Sequence, residues 1–374
     1  MKFSVLINNY NYAKYVAQAI ESVSHKDAEI IVYDDGSTDN SLEILDSFGE
    51  NIKVISKSNY NHTPNENQAN AIYEAFLQSS GEIICLLDSD DMFVADKLHR
   101  IGKVFDADPS VTTVQNLMLE VNSCGGHTNI IRPILKEVGD IKNYIFETRN
   151  FFHLFVPTSG LSFRRSFLER VLPLKEDGLD YIWPDMRLSL LSVFYGKIHT
   201  ILEPLTYYRI HGENDSHARG TLLGHSKYLE QVYIFFNGLA KSEGYPTFHF
   251  SREVYLENTY FYMNLDYAKL ISFCASASRV IIWGAGEAGQ SIAHFLLKKG
   301  ILVDGFIDAN RDREGEEIMG LKVSLPVLVK GIKYIVSPIH AYESIKIKLK
   351  SDDLIEDTDF INPYIQGRTE CTTQ

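Results

Sequence analysis

The sequence lacks the features that mark several protein classes. Its four cysteines, Cys85, Cys124, Cys274 and Cys371, are scattered, with no CxxC pair. This spacing gives no zinc motif and is typical of free thiols in a reducing compartment. No run of about 18 uninterrupted apolar residues occurs, so the sequence predicts no membrane span. The segment Met1–Ile7 predicts a strand, and not a signal peptide.

Positive charge is also scarce. The chain has 36 Lys and Arg residues against 49 Asp and Glu, and its formal net charge is −13. Without a basic surplus there is little to displace counterions from a phosphate backbone, so nucleic acid is not an expected partner. The content of 45% hydrophobic and 23% charged residues is ordinary for a globular protein. We expect a cytoplasmic protein, for which peripheral membrane association and homo-oligomerisation stay open.

Hydrophobic patterning divides the 374 residues into three regions. Residues 1–220 alternate short apolar strands with helical stretches, which predicts an α/β domain. Residues 221–276 carry aromatic side chains at helical spacing and predict a helical connector of two helices, joined near Gly244–Pro246. Residues 277–374 show βαβ alternation and predict a small Rossmann-like domain. The strands predicted in the first region are Phe3–Asn8, Glu29–Tyr33, Ile52–Ser56 and Ile83–Leu87, and its predicted helices are Tyr15–Val23, Ser41–Phe48, Asn67–Gln78 and Asp96–Asp106.

Two acidic clusters follow predicted strands of the first region. One is Asp34-Asp35-Gly36-Ser37, and the other is Asp88-Ser89-Asp90-Asp91. Ligands of an open α/β sheet bind outside the carboxyl ends of its strands, where such clusters would lie. Crowded carboxylates need a counter-charge, and Mg²⁺ or Mn²⁺ supplies one while binding phosphate oxygens. Alone, the first cluster also suits helix capping and turn formation. Together, the two clusters favour a site for a metal and a diphosphate.

Four segments in this order and spacing are specific: Ser4–Asn11, Val32–Ser41, Asn67–Ala71 and Gly81–Asp91. With them, residues 3–106 resemble the nucleotide-sugar-binding half of family 2 glycosyltransferases, which have the GT-A fold. The sequence departs at Asn8-Asn9, where the family usually has Pro-Thr or similar. The resemblance implies inverting, metal-dependent transfer of a sugar from a nucleotide-sugar, commonly a UDP-sugar. The acceptor would be a hydroxyl of a glycan, lipid-linked or protein molecule in polysaccharide or glycoconjugate synthesis.

The resemblance also implies roles for individual residues. Tyr10 would lie near the base of the donor, and Asp35 would hydrogen-bond that base. Asp88 and Asp90 would form a DxD pair that reaches the ribose and the Mn²⁺ or Mg²⁺ ion on the diphosphate. Such an ion stabilises charge on the leaving nucleoside diphosphate. The full donor-binding set implied is Asn8, Tyr10, Asp35, Asp88, Asp90, Asp91 and Arg209.

On the acceptor side, the resemblance implies that Asp185 is the general base that deprotonates the acceptor hydroxyl. Family members usually have Glu-Asp where this chain has Pro184-Asp185. Proline followed by aspartate also fits a purely structural start of a helix. Further along, the segment with Arg209 and His211 resembles the closing segment of the family. There Arg209 would offset phosphate charge, and His211 would join Asp90 as a metal ligand or meet the diphosphate. A structural role is the alternative for His211.

The third region contains a GxGxxG turn between a predicted strand, Arg279–Trp283, and a predicted helix, Gln290–Lys299. A second predicted strand, Leu302–Ile307, ends in an acidic residue at the distance expected for a ribose-binding carboxylate. This pattern predicts a nucleotide or nucleotide-sugar site, with a purely structural module as the alternative. The predicted site residues are Gly284, Gly286, Gly289 and Asp308.

Two rival functions follow from this turn. The first is an NAD-dependent oxidoreductase, against which the short remainder of the chain argues, since it cannot hold a complete dinucleotide fold and a catalytic domain. The second is a non-catalytic nucleotide-sugar-binding module. The intact Asp88–Asp91 cluster argues against that module.

Overall fold

Two sheets, each in a compact unit of its own, organise the part of the chain that the computed structural model describes. The first unit comprises the described residues up to 211 together with 227–249, and the second comprises 222–226 and those from 265 onwards. The described residues are 2–23, 28–57, 63–133, 138–149, 154–175, 177–211, 222–249, 265–275, 277–338 and 341–364.

The first unit is built on a mixed sheet. Among the described residues its strand order is β3-β2-β1-β4-β8-β6-β9-β5, and β7 pairs with β6. Strands β1 to β4 run parallel, whereas β8 is antiparallel to β4. The strands are Phe3–Asn9 (β1), Ala28–Asp34 (β2), Lys53–Ser56 (β3), Ile83–Asp88 (β4), Met92–Phe93 (β5), Thr113–Asn122 (β6), His127–Arg132 (β7), Leu161–Arg164 (β8) and Ile198–Ile210 (β9).

Strand β1 lies between two apolar layers, as its uninterrupted hydrophobic run predicts for a central parallel strand. Val5 and Ile7 pack into the core on one face, and Leu6 packs into the core on the other. Helix α4 covers the first of these faces with Leu98, Ile101 and Phe105, which recur at helical spacing. The helices of this part are Val16–Glu21 (α1), Ser41–Ser47 (α2), Pro64–Leu77 (α3), Lys97–Ala107 (α4), Ile141–Thr148 (α5), Arg165–Val171 (α6), Pro184–Tyr195 (α7) and Leu222–Ser242 (α8).

The second unit contains a smaller sheet. Its strand order over the described residues is β12-β13-β11-β10-β14-β15, and β10 runs parallel to both β11 and β14. The strands are Val280–Trp283 (β10), Gly305–Ile307 (β11), Glu317–Ile318 (β12), Leu321–Ser324 (β13), Lys333–Val336 (β14) and Phe360–Ile361 (β15). The helices are Tyr267–Ala275 (α9), Glu287–Lys298 (α10) and Tyr342–Ser351 (α11).

The α/β architecture expected from the sequence is confirmed in both sheets. Helix α3 starts at Pro64, three residues before the expected start, because Thr63 and Glu66 form a reciprocal capping box there. Residues 227–249, expected in a connector, pack with the first unit. The second connector helix falls largely on 250–264, outside the described residues.

Two further expectations concern thiols and membranes. Cys85 and Cys274 are free and buried, but Cys124 is disulfide-bonded, so the expectation of free thiols is wrong at that position. In the described part of the chain, no helix combines the length and the apolar character needed to cross a bilayer.

Candidate functional site

The candidate site lies at the carboxyl edge of the parallel strands, as sequence reasoning expects. Strand register aligns Asn8 of β1 with Tyr33 of β2 on one side and with Asp88 of β4 on the other. The next residue, Asn9, is aligned with Asp34. Because the three strands are parallel and adjacent, the two acidic clusters lie at one edge, on either side of the end of β1.

The paired aspartates after β2 have different surroundings. Asp34 Oδ2 accepts hydrogen bonds from Asn9 Nδ2 at 2.8 Å and from Ser37 Oγ at 2.6 Å, which fixes the turn. Asp35 is 7% exposed, and its Oδ1 has no hydrogen-bond partner among the described residues. Burial, with repulsion from Asp34, raises the pKa of Asp35 to about 6. Asp34 is therefore structural, and Asp35 is the carboxylate free to accept from a ligand.

The loop after β1 is tied to the loop after β2. Asn11 has a left-handed backbone with φ 58°, which asparagine tolerates better than most residues. Its Oδ1 accepts the N–H of Thr38 at 2.7 Å, and its own N–H donates to Ser37 Oγ at 2.9 Å. Tyr10 precedes this anchored residue and is 46% exposed. The anchoring leaves an aromatic ring available at the edge of the site.

The second acidic cluster is crowded with negative charge. Burial and then repulsion from Asp90 and Asp185 raise the pKa of Asp88 to about 8. Gln68 of helix α3 donates from Nε2 to Asp88 Oδ1 at 2.9 Å. Asp185 accepts the N–H of Thr158, and the N–H of Asp88 donates to the next residue, Ser159, so the structure brings the donor-side carboxylate and the expected base to neighbouring residues although they are 97 positions apart in the sequence.

Asp90 and His211 form a buried pair. His211 Nε2 lies 3.0 Å from Asp90 Oδ2, and the imidazole packs against the rings of Tyr12 and Tyr15 with centroids 5.5 and 5.1 Å apart. Among the described residues, no group of three or more His, Cys, Asp or Glu side chains converges on one metal position. An ion held here would have to take further ligands from a substrate, as Mg²⁺ does from phosphates.

Asp185 sits in the first turn of helix α7. Pro184 opens the helix, and Asp185 Oδ1 accepts the N–H of Met186 at 2.6 Å. Burial raises the pKa of Asp185 to about 6, and backbone hydrogen bonds from Met186 and Thr158 oppose that rise. A carboxylate with this pKa is ionised at neutral pH and basic enough to accept a proton from a hydroxyl.

This geometry agrees with what known proteins show. The family described as Glycosyl transferase family 2 matches residues 4–172. An uncharacterised glycosyltransferase of Nostoc sp. is 33% identical over 318 residues, which are 80% of this chain and 94% of that protein. The chain belongs to glycosyltransferase family 2.

Other members and structures match over shorter spans. A GalNAc(5)-diNAcBac-PP-undecaprenol beta-1,3-glucosyltransferase of Campylobacter jejuni is 33% identical over 106 residues, 27% of this chain and 33% of that enzyme. The S. aureus TarS 1–349 structure in complex with UDP-GlcNAc has a TM-score of 0.51 at 19% identity, over 71% of this chain and 72% of that one. TarS therefore shares the fold. A second family, described as C2185-like, N-terminal, matches residues 276–358.

Two residues expected to contact the donor, Arg209 and Asp91, have protein partners in this family 2 glycosyltransferase. Arg209 is 1% exposed, and its guanidinium donates to the backbone carbonyl of Asp90 at 2.8 Å and to Gln18 at 2.7 Å. Asp91 is 2% exposed and accepts the N–H of Arg209 at 2.9 Å. The Asp90–Asp91 turn and strand β9 are therefore joined through both side chains, and their contact with a donor stays a prediction.

Sequence reasoning missed the polar residues that support this turn. Ser159 Oγ accepts the N–H of Asp88 at 3.0 Å, and the carbonyl of Ser159 accepts from Lys97 Nζ at 2.5 Å. Lys97 is fully buried, also donates to Thr206 at 2.8 Å, and has its pKa lowered to about 7 by burial. These partners are 62 and 109 residues from Lys97, so no local pattern could reveal them. Gln68 lies in a segment that carried the family resemblance, but nothing in sequence pointed it at Asp88.

The second unit has its own glycine turn after β10. Gly284 has φ 98°, and a Cβ at Gly289 would overlap the carbonyl oxygen of Gly284, so the fold itself requires both glycines. A Cβ at Gly286 would meet nothing within 4 Å. Asp308 Oδ2 accepts the N–H of Ala285 at 2.8 Å, which ties the end of β11 to the turn.

Two cavities of about 350 and 330 Å³ adjoin this turn and share Gly284, Asp308 and Pro338. The larger is also lined by Gly286, Glu287 and Arg313, among others. The structure therefore gathers three of the four predicted C-terminal residues around open space, and Gly289 packs behind them.

Proposed function

We propose that the first unit is an inverting, metal-dependent transferase that moves a sugar from a UDP-sugar to a hydroxyl acceptor in polysaccharide or glycoconjugate synthesis. The observation that supports this most is the meeting of Asp88 and Asp90, at the end of β4 and in the turn after it, with Asp185 of helix α7 at one edge of the sheet. Donor-binding and base carboxylates have to lie this close for an acceptor hydroxyl to attack the anomeric carbon directly. A single displacement inverts the anomeric configuration.

A UDP donor suits the unpartnered oxygen of Asp35. Uracil presents an N–H that a carboxylate accepts, and the exposed ring of Tyr10 stands at the same edge to contact a base. Asn8 lies between the two acidic clusters in register and is proposed as a further donor contact. TarS, whose fold this chain shares, was crystallised with UDP-GlcNAc.

The residues at the edge fit a divalent ion shared with a diphosphate. Burial, with repulsion from Asp90 and Asp185, raises the pKa of Asp88 to about 8, and a cation would offset that repulsion. Asp90 and His211 would hold Mn²⁺ or Mg²⁺, with phosphate oxygens completing the ligands. The bound ion would neutralise charge on the leaving nucleoside diphosphate. Asp185 would accept the proton of the acceptor hydroxyl late in the attack.

The proposal is tested by incubating the protein with UDP-sugars and candidate acceptors, with Mn²⁺ or with EDTA. We expect UDP release that requires the metal, and a glycosidic product with inverted configuration by NMR. Binding of a UDP-sugar without transfer or hydrolysis under any condition would favour a non-catalytic binding module instead.

We propose separately that the second unit binds a nucleotide or nucleotide-sugar at its glycine turn. The supporting observation is Gly286, which the fold does not need and which opens onto the larger cavity. Glu287 and Asp308 line that cavity beside Arg313. With two acidic groups present, the ligand should offer hydroxyl donors as well as a phosphate, so inorganic phosphate should bind poorly.

Titration calorimetry of the full chain in EDTA tests this second site apart from the metal-dependent one. Gly286→Asp retains a favourable helix cap but places a negative charge in the cavity, so nucleotide binding should be lost. Gly286→Ser is the matched variant, with a cap but no charge. Equal binding by wild type and Gly286→Asp would reject the site, and reduction of a nicotinamide cofactor would revive the oxidoreductase alternative.

A further inference from the structure

We propose that helix α3 holds the donor side and the acceptor side of the active site in register, through the side-chain amides of Asn65, Gln68 and Asn70. This inference rests on the function proposed for the first unit. Each of the three amides donates to a different segment that carries a site residue. Since they act through other groups, we regard all three as positioning residues.

The donor-side contact is the bond from Gln68 Nε2 to Asp88 Oδ1, at 2.9 Å. The amide nitrogen of Gln68 faces Asp88, so Oε1 faces away from it. Gln68 Oε1 is buried and has no partner among the described residues. Gln68 therefore orients the Asp88 carboxylate from the side of helix α3.

The acceptor-side contact comes from the start of the same helix. Asn65 is buried, and its Nδ2 donates to the backbone carbonyl of Asp180 at 2.8 Å. Asp180 lies in the loop that leads into helix α7, and Asp185 is the second residue of that helix. The other end of this loop is held by Arg187, whose two terminal nitrogens donate to Asp177 at 2.8 Å each. Asn65 therefore ties the approach to Asp185 to the helix that orients Asp88.

The third contact reaches strand β2, which leads into Asp34 and Asp35 on the side of the donor's nucleotide base. Asn70 Nδ2 donates to the hydroxyl of Tyr33 in β2 at 3.1 Å. Tyr33 is fully buried and directly precedes Asp34 and Asp35. One helix thus reaches the ends of β2 and β4 and the loop before α7.

Helix α3 can hold the donor and acceptor sides at a fixed distance only if its first turn does not fray, and Asn65 lies in that turn. The capping box between Thr63 and Glu66 satisfies two of its free N–H groups, and Pro64 has the backbone angle of a helix start built in. The first turn of α3 is therefore rigid at the point where Asn65 binds the loop before α7.

The test is a split between kcat and KM. Asn65→Leu should lower kcat about tenfold while the donor KM and the Mn²⁺ affinity stay unchanged, because only the loop before Asp185, the proposed general base, is released. Gln68→Met should raise the donor KM about tenfold with a smaller change in kcat. Asn65→Asp, which keeps the side-chain volume, replaces Asn65→Leu if that variant does not fold.

Glu74→Gln is the matched control, because Glu74 lies on the same helix and pairs with Lys57 at the surface, away from the site. It should change neither parameter. If Asn65→Leu and Gln68→Met lower kcat and raise KM alike, in proportion to a fall in Tm, the helix has only a structural role and the inference is overturned.

A double-mutant cycle separates this inference from the proposed function. In an Asp185→Asn background, the effect of Asn65→Leu on kcat should disappear, since Asn65 acts through that base. Full activity of Asp185→Asn alone would reject the base assignment itself. An effect of Asn65→Leu that persists unchanged in an impaired Asp185→Asn background would reject the role of Asn65 only.

Discussion

Neighbouring aspartates in this chain differ in what they can do, because their hydrogen-bond partners differ. Asp34 is occupied by Asn9 and Ser37, whereas Asp35 keeps an oxygen without a partner. Asp91 is bound to the backbone of β9, whereas Asp90 faces His211. Asp34 and Asp91 thus hold loops in place, Asp35 keeps an oxygen without a partner, and Asp90 pairs with His211.

Asp90→Ala should abolish metal-dependent transfer. The substitution removes one of two side chains proposed to hold the ion and leaves His211 without its acidic partner. UDP release measured across a Mn²⁺ titration checks this, with Asp46→Ala as the control at an exposed position on α2. Full activity of Asp90→Ala at low Mn²⁺ would refute the metal assignment.

Asp185 should give the pH profile of kcat an acidic limb. A base works only when deprotonated, and burial raises the pKa of Asp185 to about 6, so kcat should fall as the pH drops below about 6. Asp185→Asn should lower kcat at least about a hundredfold and remove this limb, with little change in donor binding. A limb at the same pH in a partly active Asp185→Asn would assign the titration to another group.

The sequence identified the acidic residues, but it did not show which atoms each carboxylate contacts. The alternation of strands and helices predicted an α/β sheet, and the register of β1 with β2 and β4 places both clusters at one edge. The burial of Arg209 was not predictable, because its partner Gln18 is 191 residues away. Residue types therefore located the site, and tertiary contacts decided which members of it are available.

At the level of elements, glycine marks turns whose requirements differ. The turn between β10 and α10 needs Gly284 for its positive φ and Gly289 for its close packing, but it has room at Gly286. The GxGxxG spacing alone cannot tell which glycine is needed for its backbone angle, which for close packing and which for neither. The packing of the turn against α10 distinguishes them.

Gly289→Ala should destabilise the second unit by about 1–3 kcal/mol, because the new methyl group would overlap the carbonyl of Gly284. Gly286→Ser should leave stability unchanged or raise it slightly, since serine is a favourable helix cap. Thermal unfolding followed by circular dichroism compares them. Equal melting temperatures for the two variants would show that the turn can relax around a side chain at Gly289.

At the level of the whole molecule, the sequence predicted the parallel part of the first sheet better than the rest. Strands β1 to β4 are local βα repeats, which periodicity reveals. Strand β9 instead pairs with β6 over ten residues, and β8 inserts antiparallel between β4 and β6. These pairings depend on contacts between distant segments, which no local pattern encodes. The packing of residues 227–249 with the first unit is of the same kind.

A UDP-sugar together with Mn²⁺ should raise the melting temperature of the full chain. A ligand that binds only the folded state stabilises it by about 2.7 kcal/mol at a hundred times its Kd. Differential scanning fluorimetry of the Gly286→Asp variant, in which the second site should not bind, checks this across UDP-sugar concentrations, with EDTA removing the shift. A shift of equal size in EDTA would show that the donor binds without the metal.

Cys85 and Cys274, which are free thiols, allow the opening of each unit to be followed chemically. Cys85 lies in the centre of β4 and Cys274 in α9, and burial raises the pKa of both thiols to about 11. Alkylating reagents attack thiolates, so each sulfur should react only while its own element is open. Mass spectrometry of alkylated peptides would then time the opening of each unit separately. A donor bound to the first unit should slow alkylation of Cys85 and leave the rate at Cys274 as it was.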